Sequence, residues 1–317
     1  MNTSDLIPGS NFPLLVTPGQ SGSTPESLVE WLARPQHEWK ELLRSHGGLV
    51  FRGFDLGSAE VLERLIRALG SDPLSYVGGN SPRTKVGDKA YTSTEFPADQ
   101  RISMHNELSY ASSWPAWIMF LCVTPPASGG ATPMACSRRM LDLLPQDLVA
   151  RFEEKGLMYL QTLPGRPGFG RTWQETFETT DPAIVEEHLG ASGTEFEWVS
   201  RGRLKIRYRR NAIERHAVTN ERVWFNQADQ WHPSQLQPQL REVLQKVVEP
   251  QDFPHNVVFG DGSPISDEDA GTIRQVYWDS SISFPWQRGD LMLLDNMLVA
   301  HGRDAFQGPR KILVAMA

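Results

Sequence analysis

A histidine and a glutamate stand two positions apart, at His105 and Glu107, in a stretch whose residues are typical of a β-strand. Alternate side chains of a strand share one face, so both could bind the same metal ion while Asn106 points away. A second histidine, His301, follows a predicted strand near the other end of the chain. Two histidines and one carboxylate on one face of an octahedral ion leave three positions open, as in non-haem Fe(II) oxygenases. The spacing therefore predicts an iron site on His105, Glu107 and His301.

The simplest alternative is that these are ordinary half-buried histidines and a solvated carboxylate at a sheet edge. Two arginines argue against it, because Arg303 and Arg310 follow His301 and place fixed cations beside the predicted metal. A guanidinium binds a small carboxylate through two parallel hydrogen bonds. A 2-oxo acid cosubstrate would require such a partner.

The bulk properties indicate an acidic, cysteine-poor protein. The 317 residues carry a formal net charge of -7 and include two cysteines. This charge argues against a general nucleic-acid binder, and the two cysteines make neither a disulfide framework nor a cysteine-rich zinc site. The N-terminus lacks the pattern of a signal peptide, and no apolar run approaches the roughly 18 residues of a membrane span. We therefore expect one domain over residues 1–317 in a soluble, cytoplasmic protein, and we leave its oligomeric state open.

Hydrophobic periodicity predicts a strand-rich body interrupted by helices. Residues 2–25 are rich in Gly, Pro, Ser and Thr and are expected to form an irregular lead-in. A helical excursion is expected at about residues 138–200. The predicted fold class is mainly β with helices, in which a double-stranded β-helix, or jelly roll, carries helical insertions. The predicted strands are 49–54, 117–123, 133–136, 204–208, 223–226, 256–259, 282–286, 290–294 and 311–316.

The chain resembles the taurine dioxygenase (TauD/TfdA) family of Fe(II)/2-oxoglutarate-dependent oxygenases, and within it the clavaminate-synthase-like and syringomycin-type aspartate hydroxylase branch. The most specific matches are the HNE triplet at 105–107, the SGGAT turn at 128–132 and the stretch from DNMLVAHGR at 295–303 to GPR at 308–310. Weaker matches are GGLVFRGF at 47–54, TSTEFP at 92–97 and VWFNQ at 223–227. The resemblance therefore extends over nearly the whole chain.

The resemblance implies that Fe(II) binds to His105, Glu107 and His301, with 2-oxoglutarate and O2 as cosubstrates. It implies that Thr132, after the Gly-Gly turn, hydrogen-bonds 2-oxoglutarate. The family also supplies an arginine to the far carboxylate of 2-oxoglutarate, and counting along the taurine dioxygenase pattern reaches the neighbourhood of Ala315. Arg310 is the nearest cation and is assigned this role, with Arg303 as the reserve.

The carboxylate ligand bears on the reaction outcome. Related aliphatic halogenases have Gly or Ala in place of this carboxylate so that chloride can bind iron, whereas this chain has Glu107. The resemblance therefore implies hydroxylation of an unactivated C–H bond in a free or carrier-bound amino acid, in specialised metabolism such as antibiotic biosynthesis. The alternatives are desaturation, cyclisation or epoxidation at the same iron, or a degenerate member that binds a ligand without turnover.

The substrate contacts are expected near the iron and on a basic segment. Asn106 lies between two predicted ligands, and Tyr110 follows on the same segment. The segment 201–210, which ends in Arg210, is notably basic for an acidic protein. It is either a solvated strand edge or an electrostatic site for a carboxylate substrate or for the phosphopantetheine arm of an acidic carrier protein. Arg83 and Lys85 could serve in the same way.

Overall fold

The strands and helices are given for residues 1–20, 22–36, 38–74, 83–94, 96–167 and 170–317, which the computed structural model describes. The strands are β1 (Asn2–Ile7), β2 (Ser10–Thr17), β3 (Gly48–Phe51), β4 (Tyr91–Thr92), β5 (Ile102–His105), β6 (Trp117–Thr124), β7 (Ser128–Gly129), β8 (Met134–Cys136), β9 (Leu157–Leu163), β10 (Glu195–Val199), β11 (Arg203–Arg210), β12 (Ile213–Arg215), β13 (Arg222–Trp224), β14 (His255–Phe259), β15 (Leu291–Asp295), β16 (Val299–Arg303), β17 (Phe306–Gln307) and β18 (Lys311–Met316). The α-helices are α1 (Pro25–Leu32), α2 (Glu38–His46), α3 (Ala59–Ala68), α4 (Ser137–Leu143), α5 (Gln146–Lys155), α6 (Trp173–Phe177), α7 (Pro182–Ala191), α8 (Ala228–Trp231), α9 (Pro238–Val247) and α10 (Asp267–Ser280).

The largest sheet has seven strands in the order β1-β2-β3-β15-β6-β18-β4. Its central strands are apolar on both faces because both faces are covered. In β15, Leu291 and Leu293 belong to the apolar cluster on one side, whereas Met292 and Leu294 belong to the cluster on the other. This alternation follows from the two-residue period of a strand. Full burial of each such side chain contributes about 1.5–3 kcal/mol.

The outer face of this sheet is covered by the helices α1, α2 and α3. Trp31, Trp39 and Leu65 are buried in the same cluster as the outward residues of β15. Helix α3 is capped at its start, since the Ser58 side chain accepts a hydrogen bond from the backbone N–H of Val61. Such a cap satisfies one of the backbone donors at a helix start.

The inner face packs against a smaller sheet in the order β5-β16-β8, which carries the predicted metal ligands His105 and His301. Met134 and Val299 of this sheet share an apolar cluster with Ile118 and Met292 of the large sheet. Two facing, mainly antiparallel sheets with a common core form a jelly roll. The predicted fold class is therefore confirmed.

The predicted helical excursion at residues 138–200 is wrong in part. It contains the helices α4 to α7, but it also contains β9 and β10, which join a four-stranded sheet in the order β10-β11-β9-β14. The apolar residues of Leu157–Leu163 fit a helix or a strand equally well, and pairing with β11 and β14 decides between them.

Two other expectations are wrong. The expected irregular lead-in contains the antiparallel pair β1 and β2, and β2 also pairs in parallel with β3. The residues 282–286 form no strand, although Ile282 makes an isolated bridge to Met134. In the lead-in, pairing of β2 with β3 overrides the local Gly and Pro signals, whereas the local strand signal of residues 282–286 finds no strand partner beyond that bridge among the described residues. Among the described helices, none has the length and apolar character needed to cross a bilayer.

Candidate metal centre

The two histidines lie opposite one another on adjacent strands. His105 ends β5 and pairs in register with His301 of β16, which places the two ring centroids 4.5 Å apart. Each Nε2 atom is 3.9 Å from Oε2 of Glu107, and all three side chains are buried. One donor atom from each residue lies within 4.8 Å of the other two. The structure therefore brings together the three residues that the sequence predicted as metal ligands.

The hydrogen bonds and the burial of the histidines suit metal binding. The Nδ1–H of His105 donates to the carbonyl oxygen of Ser103 at 2.8 Å, which leaves the Nε2 lone pair facing Glu107. Burial lowers the pKa of His105 and lowers the pKa of His301 further below its ordinary value. A histidine must be neutral to bind a metal, so burial favours the form that does so.

Glu107 does not lie on the strand that the sequence predicted for it. The strand ends at His105, and Leu108 has a φ of 55°, in the left-handed region that non-glycine residues seldom adopt. The turn is held by Asn296, whose Oδ1 accepts from the Glu107 backbone N–H at 2.7 Å. The Asn296 Nδ2 donates to the backbone carbonyls of Glu107 and Pro115, both at 2.9 Å. A side chain 189 positions away in the sequence therefore fixes the backbone of the carboxylate residue.

Asn106 is fully buried and braces the same turn. Its Nδ2 donates to the Ser137 hydroxyl at 3.1 Å and to the Asn296 backbone carbonyl at 2.7 Å. The backbone carbonyl oxygen of Asn106 accepts a hydrogen bond from Gln227 Nε2 at 2.7 Å. These contacts assign Asn106 a structural task, and its predicted contact with substrate stays a prediction.

A cavity opens beside the two histidines, between β6 of the large sheet and the strands β5 and β16 of the small one. Thr132, Arg303 and Arg310, the three residues predicted to bind 2-oxoglutarate, all line it. Its described lining consists of Arg83, Ser93, Thr94, Ile102, His105, Phe120, Thr132, His301, Gly302, Arg303 and Arg310. The three residues predicted to bind 2-oxoglutarate therefore lie in the same cavity as the proposed ligands His105 and His301.

Arg310 is held in the cavity wall. Its Nε donates to the carbonyl of Gly130 at 3.0 Å, and its Nη1 donates to the Ser93 hydroxyl at 3.2 Å. Burial lowers the pKa of Arg310 to about 10, so the side chain remains cationic at neutral pH. Gly130 has a φ of 65°, and a Cβ there would lie 2.9 Å from Phe306 Cβ and 3.1 Å from Arg310 Cδ. The glycine turn therefore lets the arginine approach.

Arg303 has a different set of partners. Its two terminal nitrogens donate to the carbonyls of Phe96 at 2.9 Å, Pro97 at 2.6 Å and Gln100 at 2.8 Å. The side chain therefore fastens the segment before β5 to β16. Glu95, part of the matched TSTEFP segment, lies outside the described residues.

Comparison with known proteins places this geometry in a family. The model of the taurine catabolism dioxygenase TauD, TfdA family matches residues 10–316. The chain belongs to the TauD/TfdA family. It is therefore an Fe(II)/2-oxoglutarate-dependent dioxygenase, and Fe(II), 2-oxoglutarate and O2 are its cofactor and cosubstrates.

Curated relatives and solved structures agree with this assignment. The dapdiamide synthesis protein DdaC of Enterobacter agglomerans is 33% identical over 315 residues, which cover 99% of this chain and 94% of DdaC. The clavaminate synthase-like protein of Arabidopsis thaliana is 31% identical over 324 residues, covering 96% of this chain and 93% of that protein. PvcB of Pseudomonas aeruginosa, an Fe, alpha-ketoglutarate dependent oxygenase from an isonitrile synthetic pathway, is 18% identical with a TM-score of 0.54. That alignment covers 97% of this chain and 86% of PvcB, and it supports the jelly-roll fold.

The donor set of this TauD/TfdA chain fits the family's metal. Two neutral imidazoles and one carboxylate leave open positions on an octahedral ion for a bidentate cosubstrate and O2. The Nδ1 atom of His301 is buried and has no hydrogen-bond partner among the described residues. Thr132 is 3% exposed, and its hydroxyl oxygen accepts from the Trp286 indole N–H at 3.2 Å. The hydroxyl is thereby oriented in the wall beside the histidines.

The other predicted substrate residues, Tyr110 and Arg210, are outside the described lining of this cavity. Tyr110 is 1% exposed and packs against Tyr208 and Trp231 with ring centroids 5.5 and 4.8 Å away. The Arg210 Nε donates to the backbone carbonyl of Tyr110 at 3.3 Å, and burial lowers the pKa of Arg210. Their substrate roles stay predictions.

The basic segment 201–210 contains β11, which is an inner strand of its sheet and not an edge strand, the first of the two alternatives left open by the sequence. Its apolar residues Leu204 and Ile206 face the core. Lys205 forms an ion pair with Asp252, and Arg209 pairs with Glu195 at 3.0 Å. These pairs favour a solvated, charge-balanced face over an anion site.

Sequence reasoning missed the positioning role of Asn296. A signal was present, since the polar pair Asp295-Asn296 interrupts an apolar stretch five residues before His301. The N–H groups of Met297 and Leu298 are both bonded to Asp295 Oδ1. Asp295 and Asn296, which are not among the proposed metal ligands, therefore shape the loop that holds the backbone of Glu107.

Proposed function

We propose that this enzyme binds Fe(II) through His105, Glu107 and His301 and 2-oxoglutarate through Thr132 and Arg310. We further propose that it hydroxylates an unactivated C–H bond of an amino acid or of a carrier-bound aminoacyl group. The observation that supports the proposal best is that residues from distant parts of the chain meet at one place. One cavity is lined by His105, His301, Thr132 and Arg310, and Glu107 lies beside the two histidines.

The residues of the chain orient the reactants and exclude water. Bound iron and 2-oxoglutarate supply, with O2, the oxidant that takes a hydrogen atom from the substrate. The fixed Arg310 guanidinium suits the far carboxylate of 2-oxoglutarate, and the Thr132 hydroxyl suits the same cosubstrate. Phe120 packs against His301 with ring centroids 5.0 Å apart and provides an apolar wall. No protein group needs to act as a general base.

The substrate class is supported by the relation to DdaC. That protein functions in dapdiamide synthesis, is 33% identical and aligns with almost the whole chain. Retention of the Glu107 carboxylate favours oxygen insertion over halogenation, because the carboxylate occupies the place that chloride needs. Attachment of the substrate to a carrier protein, a cytoplasmic location and the lack of a nucleic-acid partner stay predictions.

Turnover with Fe(II), 2-oxoglutarate and O2 tests the proposal. Free amino acids and the same amino acids attached to a carrier protein are supplied in parallel, and succinate and product mass are measured. We expect succinate formation that depends on one substrate, with a product heavier by one oxygen atom. Loss of two hydrogens instead would indicate desaturation or cyclisation. A protein that takes up no iron and forms no succinate would be a ligand-binding family member, and the proposal would be wrong.

A further inference from the structure

The loop between α10 and β15 carries a buried tryptophan that contacts the wall of the cavity beside the two histidines. The indole N–H of Trp286 donates to the hydroxyl oxygen of Thr132 at 3.2 Å. The same loop is held against that wall by Ile282, which exchanges two backbone hydrogen bonds with Met134, at 2.8 and 2.9 Å. Trp286 is outside the described lining of the cavity, so its contact with the cavity is made through Thr132.

The indole leaves the Thr132 hydroxyl with a hydrogen to donate. A tryptophan N–H is only a donor, whereas a threonine hydroxyl has one hydrogen and two lone pairs. Trp286 therefore occupies a lone pair, and the hydroxyl hydrogen has no acceptor among the described residues. Thr132 is buried and lines the cavity together with Arg310. Because a buried donor without a partner is costly, this hydroxyl favours a ligand that brings an acceptor.

An ion pair holds the backbone on both sides of Trp286. Arg52, which follows β3, donates to both carboxylate oxygens of Asp290, at 2.9 and 2.7 Å. The Arg52 Nη2 also donates to the carbonyl of Pro285 at 3.3 Å, and Asp290 accepts from the backbone N–H of Gln287 at 2.7 Å. Asp290 is buried, so its charge requires this partner. The residues before and after Trp286 are therefore bound to one Arg52–Asp290 pair.

We propose that Trp286 is a positioning residue for the cosubstrate, held in place by the Arg52–Asp290 pair. The indole fixes the Thr132 hydroxyl as a hydrogen-bond donor to a carboxylate oxygen of 2-oxoglutarate, and the ion pair fixes the indole. The inference rests on the proposed function, in which Thr132 binds 2-oxoglutarate. The segment at 47–54 that matches the family thereby gains a task at the cosubstrate site.

The test measures binding of 2-oxoglutarate and not turnover. The full-length protein is loaded with Fe(II) without oxygen and titrated with 2-oxoglutarate, and the charge-transfer absorption of the complex gives the Kd. Trp286→Phe keeps an aromatic ring but removes the N–H, and it should raise this Kd about 3–10-fold. Thr132→Val removes the hydroxyl and should raise the Kd about 10–100-fold, because a hydrogen bond to a charged acceptor is lost.

Double variants distinguish positioning from a general loss of packing. If the indole acts through the hydroxyl, adding Trp286→Phe to Thr132→Val should leave the Kd unchanged within about twofold, since coupled residues are not additive. Arg52→Gln should raise the Kd about 3–10-fold in the wild type and should likewise add nothing to Thr132→Val. Arg52→Lys retains the charge without the planar fork and should give a Kd between those of the wild type and Arg52→Gln. If Arg52→Gln does not fold, Arg52→Lys and Trp286→Phe decide.

Arg151→Gln is the matched control for loss of an ion pair. Arg151 also donates to both oxygens of one carboxylate, that of Asp269, at 3.0 and 2.7 Å. Neither residue belongs to the described lining of the cavity. Arg151→Gln should lower the urea midpoint of unfolding, as Arg52→Gln should, but leave the Kd for 2-oxoglutarate at the wild-type value.

The possible failures are distinct. If the wild type gives no charge-transfer absorption with iron and 2-oxoglutarate, the proposed function fails and this inference fails with it. If Thr132→Val raises the Kd but Trp286→Phe does not, or if their effects add, the positioning role is wrong while the cosubstrate site stands. If Arg151→Gln weakens 2-oxoglutarate as much as Arg52→Gln does, the ion pair acts only through general stability and its positioning role is wrong.

Discussion

Replacement of Asn296 by alanine should separate positioning of the metal ligand from general stability. The change removes three buried hydrogen bonds, two to the backbone of Glu107 and one to the carbonyl of Pro115. At about 0.5–1.5 kcal/mol for each bond, the free energy of unfolding should fall by about 1.5–4.5 kcal/mol. Leu108, with a φ of 55°, would no longer be held in its unfavourable conformation, and Glu107 would lose its fixed direction. Groups that orient metal ligands typically account for about 10–100-fold in metal affinity, so the Kd for Fe(II) should rise by that factor.

The assay is an anaerobic Fe(II) titration of Asn296→Ala together with urea unfolding of the iron-free protein. Asn256→Ala is the matched control, because Asn256 is 6% exposed and also makes two side-chain hydrogen bonds to backbone, at 3.0 and 2.7 Å. Asn256 lies on β14 in the four-stranded sheet, which carries none of the proposed metal ligands. Asn256→Ala should therefore lose stability while its iron affinity stays at the wild-type value. If both variants lose stability and both bind iron as tightly as the wild type, the positioning role of Asn296 is refuted.

Three other variants test separate parts of the site and the fold. His105→Ala or His301→Ala should abolish iron binding measured by metal analysis. A variant that keeps one iron per chain would contradict the proposed three-residue iron site. Arg310→Ala should raise the 2-oxoglutarate concentration needed for half-maximal rate by about 30-fold or more. Arg303→Ala should mainly lower the free energy of unfolding, by about 1–3 kcal/mol, because it deprives backbone carbonyls of donors. If Arg303→Ala raised the required 2-oxoglutarate concentration more than Arg310→Ala, the cosubstrate role would be assigned to Arg303. Burial lowers the pKa of His255 from 6.5 to about 4, so its contribution to stability is present above pH 6.5 and is lost as the pH falls through about 4. In urea unfolding, His255→Asn should reduce the acid loss of stability by about 2 kcal/mol, since the imidazole is half-buried and partly screened. An unchanged pH dependence would show that His255 is not the group responsible.

Residue type and spacing were enough to propose His105, Glu107 and His301 as metal ligands, but not to predict the geometry that brings them together. His105 and His301 meet because β5 and β16 pair in register, which alternation within one strand does not reveal. Glu107 faces them from a turn whose shape depends on Asn296, a residue distant in sequence. Local patterns carry no information about such a contact.

The same distinction between local sequence patterns and long-range contacts explains which secondary-structure predictions were wrong. Strands such as β6, β11 and β18 were predicted because their residues fit a strand wherever they lie. Strand β2, hidden by Gly and Pro signals, pairs with β3, and β9, inside an expected helical excursion, pairs with β11 and β14, so both depend on partners elsewhere in the chain. The bonding of Arg303 to the segment before β5 likewise depends on how that loop folds against β16. The sequence predicted that Arg303 lies near the proposed iron, but it did not show which groups the guanidinium contacts.

The most direct test of the account is an anaerobic titration of the wild-type protein with Fe(II) in the presence of 2-oxoglutarate, followed by visible absorption. We predict one iron per chain and a charge-transfer absorption that requires both iron and 2-oxoglutarate. The same titration of His301→Ala should give neither. Saturation of the wild type without that absorption, or an unchanged absorption in His301→Ala, would contradict an iron centre on His105, Glu107 and His301.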